Sequence, residues 1–240
     1  MKVIAVIPAR LASRRLPRKM LREIAGVPLL AWVYQGVRRC SSLDQVVVAT
    51  DSDEIMRFCE QQGFAARMTS AAHRSGTERV HEISIAIPAD VYLNVQGDEP
   101  LTRAEHIESL LAVMQGAGVE VGTLKTAAAE VDINNPSAVK VVTDAAGRAL
   151  YFSRATIPHD RDGARPRYYK HLGFYGYRKD VLDKFVRWPE SSLERSERLE
   201  QLRFLDNGVP IYVAETPFDT IGVDTEEDVQ RVEEILANNL

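Results

Sequence analysis

The chain has 240 residues, 45% of them hydrophobic, and a formal net charge of −4 at pH 7. This length is enough for one sizeable core, and the slightly acidic balance argues against nucleic acid as the main partner. The sequence shows neither an export signal nor the roughly 20-residue apolar run of a membrane span. Its two cysteines, Cys40 and Cys59, are too few for a disulfide framework. We therefore expect a cytoplasmic protein that binds no membrane.

The first predicted element is a buried parallel strand over residues 3–7 that stops at Pro8. The loop after it contains no acidic residue and six cations, namely Arg10, Arg14, Arg15, Arg18, Lys19 and Arg22. Open α/β sheets bind ligands at the carboxyl ends of their strands. The loop is therefore predicted to bind an anion, and the alternative is a solvated cluster that only keeps the protein soluble.

The basic loop has neither the Gly-x-Gly-x-x-Gly dinucleotide motif nor a P-loop. We expect a different phosphate cradle, in which backbone amides near Ala9 and Ser13 face phosphate oxygens while Arg10 and Lys19 supply charge. A forked guanidinium and a mobile ammonium suit a triphosphate whose charge moves as a bond breaks. Arg15 is the best candidate among the remaining cations.

Further apolar runs predict strands at residues 46–50, 91–95, 119–124 and 139–142, with helical patterns between most of them. This alternation predicts an α/β fold with a mostly parallel sheet. Asp51 and Glu54 have the spacing of a capping box for a helix that ends at Gly63, and residues 107–114 form a second amphipathic helix. Ser191 and Glu194 predict the start of a helix that continues to Gly208.

Acidic residues follow the strand at 91–95, where Asp98 and Glu99 reach the same sheet edge as the basic loop. Mg²⁺ prefers one or two carboxylates together with phosphate oxygens and water, so a second acid from elsewhere is required. Asp224 is the obvious partner. Its alternative role is to cap the last helix, but Thr225 with Asp228 can provide that cap and leave Asp224 available.

The segment between His73 and Arg79 contains a Gly between two hydroxyl residues. Such a tight turn, Ser75-Gly76-Thr77, can present its backbone to a base edge, and it can equally be an ordinary helix start.

Residues 151–190 mix aromatic and basic side chains and include a predicted strand at 171–177. We interpret them as an excursion within a single domain of residues 1–240, which either covers a substrate or pairs with a second subunit. On the residues alone, His171 and Tyr175 are more often structural than substrate-binding. Glu200 and Gln201 lie outside the apolar stripe of their helix, so at least one is available to a ligand or another subunit.

Several segments together match a known family, and they occur in its order along nearly the whole chain. The most specific are Ile7-Pro-Ala-Arg10, Arg15-Leu-Pro17, His73-x-Ser-Gly-Thr77, Asn94-Val-Gln-Gly-Asp-Glu-Pro100, Ala149-Leu-Tyr-Phe-Ser-Arg154, His171-Leu-Gly173, Leu199-Glu-Gln-Leu-Arg203 and Gly222-Val-Asp-Thr225. The chain resembles the 3-deoxy-manno-octulosonate (Kdo) cytidylyltransferases. These are nucleotidyltransferases of a Rossmann-like, glycosyltransferase-A-like fold.

The resemblance implies roles for individual residues. It implies that Arg10 and Lys19 grip the CTP phosphates, that the Ser75–Thr77 turn helps to read cytosine, and that Asp98 and Asp224 hold Mg²⁺. For the sugar it implies Arg79, Gln96, Arg154, His171, Tyr175, Glu200 and Gln201. It further implies CMP-Kdo synthesis for lipopolysaccharide and, with the aromatic excursion, a homodimer.

Two alternatives remain open from the sequence. The same chemistry could act on a related acid sugar, such as the 8-amino analogue of Kdo or a sialic acid. The basic loop could instead belong to a non-catalytic nucleotide or RNA binder, which would need neither Asp98 nor Asp224.

Overall fold

The computed structural model describes residues 1–13 and 15–237. The strands within these residues are β1 (Val3–Ala9), β2 (Glu23–Ile24), β3 (Val27–Pro28), β4 (Gln45–Thr50), β5 (Ala66–Met68), β6 (Val91–Asn94), β7 (Val121–Ala127), β8 (Lys140–Thr143), β9 (Ala149–Ser153), β10 (Tyr169–Arg178) and β11 (Ile211–Glu215). The α-helices are α1 (Leu29–Arg38), α2 (Asp53–Gln62), α3 (Gly76–Ala86), α4 (Ala104–Met114), α5 (Glu130–Ile133), α6 (Lys179–Phe185), α7 (Ser192–Glu197), α8 (Leu202–Asp206) and α9 (Glu226–Ala237). A 3₁₀ turn spans Lys19–Leu21.

The chain divides into two compact units, one formed by Met1–Glu108 with the chain from Thr220, the other by Ser109–Asp219. The first unit contains a small antiparallel pair, β2 and β3, and four parallel strands of the larger sheet. These four strands lie in the order β6-β1-β4-β5, with Ile4 opposite Gln45 on one side and Tyr92 on the other. Helices occur between these strands, as the alternating pattern predicts, and the α/β fold class is confirmed.

The first strand is longer than predicted. Pro8 does not end β1, which continues to Ala9, with Pro8 opposite Ala49 of β4. On its other side β1 pairs with β6 only as far as Val6 and Asn94. A proline cannot donate a ladder hydrogen bond, and it is accommodated here because one neighbouring strand has already ended.

The start of α2 differs from the predicted capping box. The N-cap is Ser52, whose side chain accepts a hydrogen bond from the backbone N–H of Ile55 at 3.4 Å. Asp51 instead accepts a hydrogen bond from Arg79 at 2.5 Å. Asp51 and Ser52 are both suitable N-cap residues by type. Because Asp51 pairs with the distant Arg79, Ser52 takes the N-cap position and the helix begins one residue later than predicted. Gly63 ends the helix in the left-handed conformation, as predicted.

The last helix packs against the amino-terminal part of the first unit. Val223, Val229 and Val232 share a buried cluster with Leu16 and Ile24. Thr225 and Asp228 cap the helix reciprocally, since Thr225 N–H donates to the Asp228 carboxylate at 2.9 Å and Asp228 N–H donates to Thr225 Oγ1 at 3.3 Å. The prediction that Thr225 caps α9 is confirmed, and the side chain of Asp224 is not needed as the cap.

Helix α1 approaches the backbone of residue 102 very closely at Gly36. A Cβ added there would lie 2.1 Å from the carbonyl oxygen of Thr102. We expect Gly36→Ala to lower the free energy of unfolding by about 1–3 kcal/mol, because overpacking outweighs the roughly 1 kcal/mol that alanine gains within a helix. Urea unfolding would measure this, with Gln35→Ala on the exposed face of α1 as the control. Equal stability of Gly36→Ala and the unsubstituted protein would contradict the close approach.

The second unit has a mixed sheet. Strand β7 pairs in parallel with β11 and antiparallel with β10, and β8 pairs antiparallel with β9 and β10. Phe204 lies among aromatic rings, with Tyr177 at 5.6 Å and Phe185 at 4.7 Å between ring centroids. The five predicted strands are confirmed with shifts of a few residues at their ends, and the predicted strand at 171–177 is the central part of β10.

The predicted helix from Ser191 to Gly208 is wrong as a single element. The capping box of Ser191 and Glu194 is present, but α7 ends at Arg198 in the left-handed conformation, and α8 begins afterwards. The carboxylate of Glu194 also accepts two hydrogen bonds from the buried Arg203 guanidinium, at 2.7 and 2.5 Å. This pair requires the chain to turn back between the two helices, which the apolar spacing does not encode.

None of the helices in the described part of the chain is long and apolar enough to cross a bilayer. Cys40 and Cys59 are both buried and free, and burial raises the pKa of the Cys59 thiol to about 11.

Candidate active site

A cleft of about 720 Å³ lies in the first unit, at the carboxyl ends of β1 and β6. It brings together most of the sequence-predicted residues of this unit, namely Ala9, Arg10, Ser13, Arg15, Lys19, Ser75, Gly76, Arg79, Gln96, Asp98 and Asp224. The location agrees with the general position of ligand sites in open parallel sheets. Residues of the basic loop and both acids therefore line the same cleft.

Lys19 bridges the two carboxylates of the cleft. Its Nζ donates to Asp98 Oδ2 at 2.7 Å and to Asp224 Oδ1 at 2.8 Å. Arg15 contacts the other oxygen of Asp224 at 2.7 Å. Oxygens from both acids therefore surround a single cationic atom, so Asp98 and Asp224 are close enough to share an ion.

The charges of this cluster shift one another's protonation. Burial disfavours the charged form of Lys19, but Asp98 and Asp224 more than offset it, and the pKa of Lys19 is raised. For Asp224, partial burial acts to raise the pKa, whereas hydrogen bonds and charge from Lys19 and Arg15 outweigh it, and the pKa is lowered. Both shifts favour the charged forms of Lys19 and Asp224 at neutral pH.

Two hydrogen bonds hold together the segments that carry the acids, although these segments are distant in sequence. The N–H of Val223 donates to the carbonyl of Asp98 at 2.8 Å. The side chain of Thr220 also donates to Glu99 Oε2 at 2.9 Å. These ties, together with the apolar cluster of α9, fix Asp224 beside Asp98. Glu99 has a structural contact here, whereas Asp98 faces the cleft.

The segment between Gln96 and Asp98 runs close to β1. A Cβ on Gly97 would lie 2.8 Å from the carbonyl oxygen of Pro8. Only glycine allows the two strand ends to approach in this way. Gly97 therefore lets Asp98 reach the edge at which the basic loop leaves β1.

Arg79 lines the cleft from α3, and its side chain is already engaged. The guanidinium donates to Thr69 Oγ1 at 2.7 Å and to Asp51 at 2.5 Å, and the residue is buried. Arg79 thereby joins the ends of β4 and β5 to the floor of the cleft.

The Ser75-Gly76-Thr77 segment is a helix start. Ser75 is the N-cap of α3, and its hydroxyl accepts from the backbone N–H of Glu78 at 3.3 Å. Ser75 and Gly76 also line the cleft, whereas Thr77 is fully buried outside the lining. The two interpretations of this turn are thus compatible, because one residue caps the helix and borders the site.

The cleft also contains residues that the sequence analysis did not single out as site residues, among them Met20, His73, Arg74 and Gly97. His73 Nδ1 lies 3.7 Å from Glu78, and its Nε2 contacts Glu82. In the sequence, His73 belongs to the segment His73-x-Ser-Gly-Thr77 that carries the family resemblance, and Arg74 occupies the variable position of that segment.

Not all cations of the basic loop face the cleft. Arg22 pairs with Glu226 at 2.9 Å on the surface, and Arg18 pairs with Glu54. Arg14 lies outside the described residues. The prediction that some of these cations are solvated is confirmed for Arg18 and Arg22.

Five predicted sugar-side residues lie in the second unit. Arg154 is tied to its surroundings by backbone carbonyls, since its guanidinium donates to Glu197 O at 2.7 Å and Pro136 O at 3.0 Å. Its backbone N–H donates to the Glu197 carboxylate at 2.9 Å. These contacts hold the guanidinium in one orientation.

His171 and Tyr175 pack among aromatic side chains on β10. His171 Nε2 lies 3.1 Å from Thr123 Oγ1, and burial lowers the pKa of the imidazole to about 3. Tyr175 stacks parallel to Tyr177 at 5.7 Å, and burial raises the pKa of its phenol well above the usual value. Both side chains are therefore neutral at physiological pH.

Gln201 and Glu200 precede α8. Gln201 is its N-cap residue and is buried, and Glu200 is half-buried. Both residues thus lie at a helix start rather than within the single helix that the sequence predicts.

The parallel sheet, the cation-rich loop after β1 and the acid pair define the class of the protein as an α/β nucleotidyltransferase. A solved structure of a CMP:2-keto-3-deoxy-manno-octonic acid synthetase, titled as a complex with CTP, matches with a TM-score of 0.95 and 40% identity over 100% of both chains. Similarity at this level extends the class assignment to the whole chain.

The family model described as cytidylyltransferase matches residues 4–215. A 3-deoxy-manno-octulosonate cytidylyltransferase of Koribacter versatilis is 64% identical over 98% of this chain and 90% of its own length. One from Acidobacterium capsulatum is 55% identical over 98% of this chain and 97% of its own. The chain belongs to the 3-deoxy-manno-octulosonate cytidylyltransferase family.

Proposed function

We propose that this protein activates Kdo with CTP, giving CMP-Kdo and pyrophosphate for lipopolysaccharide biosynthesis. The observation that carries the proposal is the meeting of Asp98 and Asp224 at one cation, in a cleft that also contains Arg10 and Arg15. A triphosphate needs such cations, and transfer at its α-phosphorus needs charge neutralisation. The family membership supplies the identity of the nucleotide and the sugar.

In this proposal Arg10, Arg15 and Lys19 bind the triphosphate of CTP. A guanidinium makes forked contacts with phosphate oxygens, and the Lys19 ammonium follows the charge that develops on the leaving pyrophosphate. The turn at Ser75 and Gly76, with Thr77 behind it, borders the cytosine.

The residues present suit Mg²⁺. Asp98 and Asp224 are hard oxygen donors that already surround a cation, and Mg²⁺ typically takes one or two carboxylates plus phosphate oxygens and water. When bound, Mg²⁺ would neutralise phosphate charge and lower the pKa of the attacking hydroxyl.

The reaction proposed is an in-line displacement at the α-phosphorus of CTP. The anomeric hydroxyl of Kdo forms a new oxygen–phosphorus bond and releases its proton to solvent, while the bond to the bridging oxygen breaks and its electron pair leaves with pyrophosphate. Positioning and electrostatics account for most of such a transfer, and no side chain is required as a general base.

For the sugar we propose Arg79, Gln96, Arg154, His171, Tyr175, Glu200 and Gln201 as binding residues. We further propose a cytoplasmic homodimer without nucleic-acid or membrane partners, in which residues 151–190 cover the substrate or contribute to dimerisation. The neutral state of His171 at physiological pH favours hydrogen bonding over proton transfer for this residue.

Pyrophosphate release tests the proposal. Each of the four ribonucleoside triphosphates, with Mg²⁺, is combined with Kdo, its 8-amino analogue or a sialic acid. We expect release with CTP and Kdo, and none when either is omitted. Release with another sugar would reassign the substrate, and CTP binding without release under any combination would indicate a non-catalytic nucleotide binder.

A further inference from the structure

Asn94, the last residue of β6, has an unusual environment. The residue is fully buried, and neither its Oδ1 nor its Nδ2 has a hydrogen-bond partner within the described residues. Buried amide groups are nearly always hydrogen-bonded, because an unsatisfied one is destabilising.

The Asn94 side chain lies directly below the wall of the nucleotide cleft. A Cβ built on Gly76 would lie 3.4 Å from Asn94 Nδ2, 3.6 Å from Asn94 Oδ1 and 3.4 Å from Pro8 Cγ. Gly76 and Pro8 both line the cleft, whereas Asn94 does not. The amide is therefore one layer beneath the turn that starts α3.

The absence of a side chain on Gly76 is what brings its backbone close to this amide. A hydrogen bond from the backbone of this turn would satisfy the Asn94 amide. An apolar residue of similar shape would fill the same volume without an unsatisfied polar group. The fold thus retains a costly amide next to one element of the site.

We propose that Asn94 is a positioning residue for the nucleobase, whose amide bonds the Ser75–Gly76 turn when CTP is bound. This inference rests on the proposed function, and it deepens it by assigning the turn a support beneath the cleft. In the free protein the unsatisfied amide lowers the stability of the fold, and the hydrogen bond that it gains when CTP binds increases the affinity for the nucleotide. Asn94 is expected to affect only the binding of the cytosine base, because the triphosphate of CTP binds the basic loop in the proposed function.

Asn94→Leu separates this role from a purely structural one. We expect the ligand-free variant to unfold at the same or a higher temperature, because the unsatisfied amide is removed. Calorimetry should show CTP binding weakened about tenfold or more, while binding of inorganic tripolyphosphate, which lacks the base, is unchanged. Equal CTP affinity in variant and unsubstituted protein, or equal weakening of both ligands, would overturn the proposal.

Two further variants keep the test interpretable. Asn94→Ala also removes the amide but leaves a void, so it should bind CTP as weakly as Asn94→Leu although it is less stable. If CTP affinity follows stability across these variants, the role is structural and the proposal fails. Ser84→Ala is the matched control, since Ser84 is a buried polar residue on α3, the helix that begins at the Ser75–Gly76 turn, and donates to His81 O at 2.6 Å. It should lose some stability and keep its CTP affinity.

The outcome is distinguishable from failure of the proposed function. If the unsubstituted protein binds CTP but releases no pyrophosphate, the enzymatic proposal fails while the comparison of CTP affinities still decides the role of Asn94. If the unsubstituted protein does not bind CTP, both proposals are overturned.

Discussion

Replacing Asp98 with Asn is expected to slow pyrophosphate release from CTP and Kdo by about a hundredfold or more, with the fold intact. The carboxylate at this position contacts Lys19 at 2.7 Å and, with Asp224, would hold Mg²⁺. An amide keeps the shape and one acceptor oxygen, but it lacks the charge that a divalent ion requires. The loss should therefore appear in turnover rather than in stability.

Initial rates at saturating CTP and Kdo would measure this effect, alongside thermal unfolding. Asp90→Asn is the matched control, because Asp90 is exposed and directly precedes β6, whereas Asp98 follows that strand. Near-normal turnover of Asp98→Asn would remove Asp98 from the metal site and with it the proposed mechanism.

Lys19→Met is expected to have two opposite effects on ligand binding. CTP affinity should fall roughly 10- to 100-fold, as expected when a charge-assisted hydrogen bond worth about 1.5–3 kcal/mol is lost. In the absence of nucleotide, however, Mn²⁺ affinity should rise about tenfold or more. The reason is that the Lys19 ammonium occupies the space between Asp98 and Asp224, where a divalent ion would be held.

Calorimetry with CTP and spin resonance of free Mn²⁺ would measure the two effects separately. Arg22→Met provides the control, since Arg22 belongs to the same basic loop but pairs with Glu226 on the surface. If Lys19→Met binds Mn²⁺ no more tightly than the unsubstituted protein, the ammonium does not compete with the metal. If CTP affinity is unchanged, Lys19 does not bind the phosphates.

The sequence was sufficient to predict the general location of the site. Strand-end rules place both Lys19 and Asp98 at one sheet edge, and the capping pair Thr225 and Asp228 shows that Asp224 is not needed for the helix. These arguments are local in sequence or depend only on the parallel order of strands.

Other features depend on partners that no local pattern reveals. The choice of Ser52 over Asp51 as N-cap follows from the ion pair with Arg79. The break between α7 and α8 accompanies the buried pair of Glu194 and Arg203. In each case a tertiary contact selects between two local solutions of similar energy, and spacing alone does not distinguish them.

The bridging position of Lys19 is also beyond sequence reasoning. It requires the backbone bond between Val223 and Asp98 and the apolar packing of α9. The residue types predicted that Lys19, Asp98 and Asp224 would lie in one site. That Lys19 pairs with both acids follows from how the distant segments pack together.

The acid pair has a consequence for protein synthesis. Lys19 and Asp224 are separated by 205 residues, and the latter is delivered by the segment that leads into α9. A ribosome therefore makes the basic loop early and the second carboxylate late. A prematurely terminated polypeptide that lacks Asp224 would keep the cations proposed to bind the triphosphate but lose one of the two carboxylates proposed to hold Mg²⁺. We therefore expect such truncated products to have no cytidylyltransferase activity.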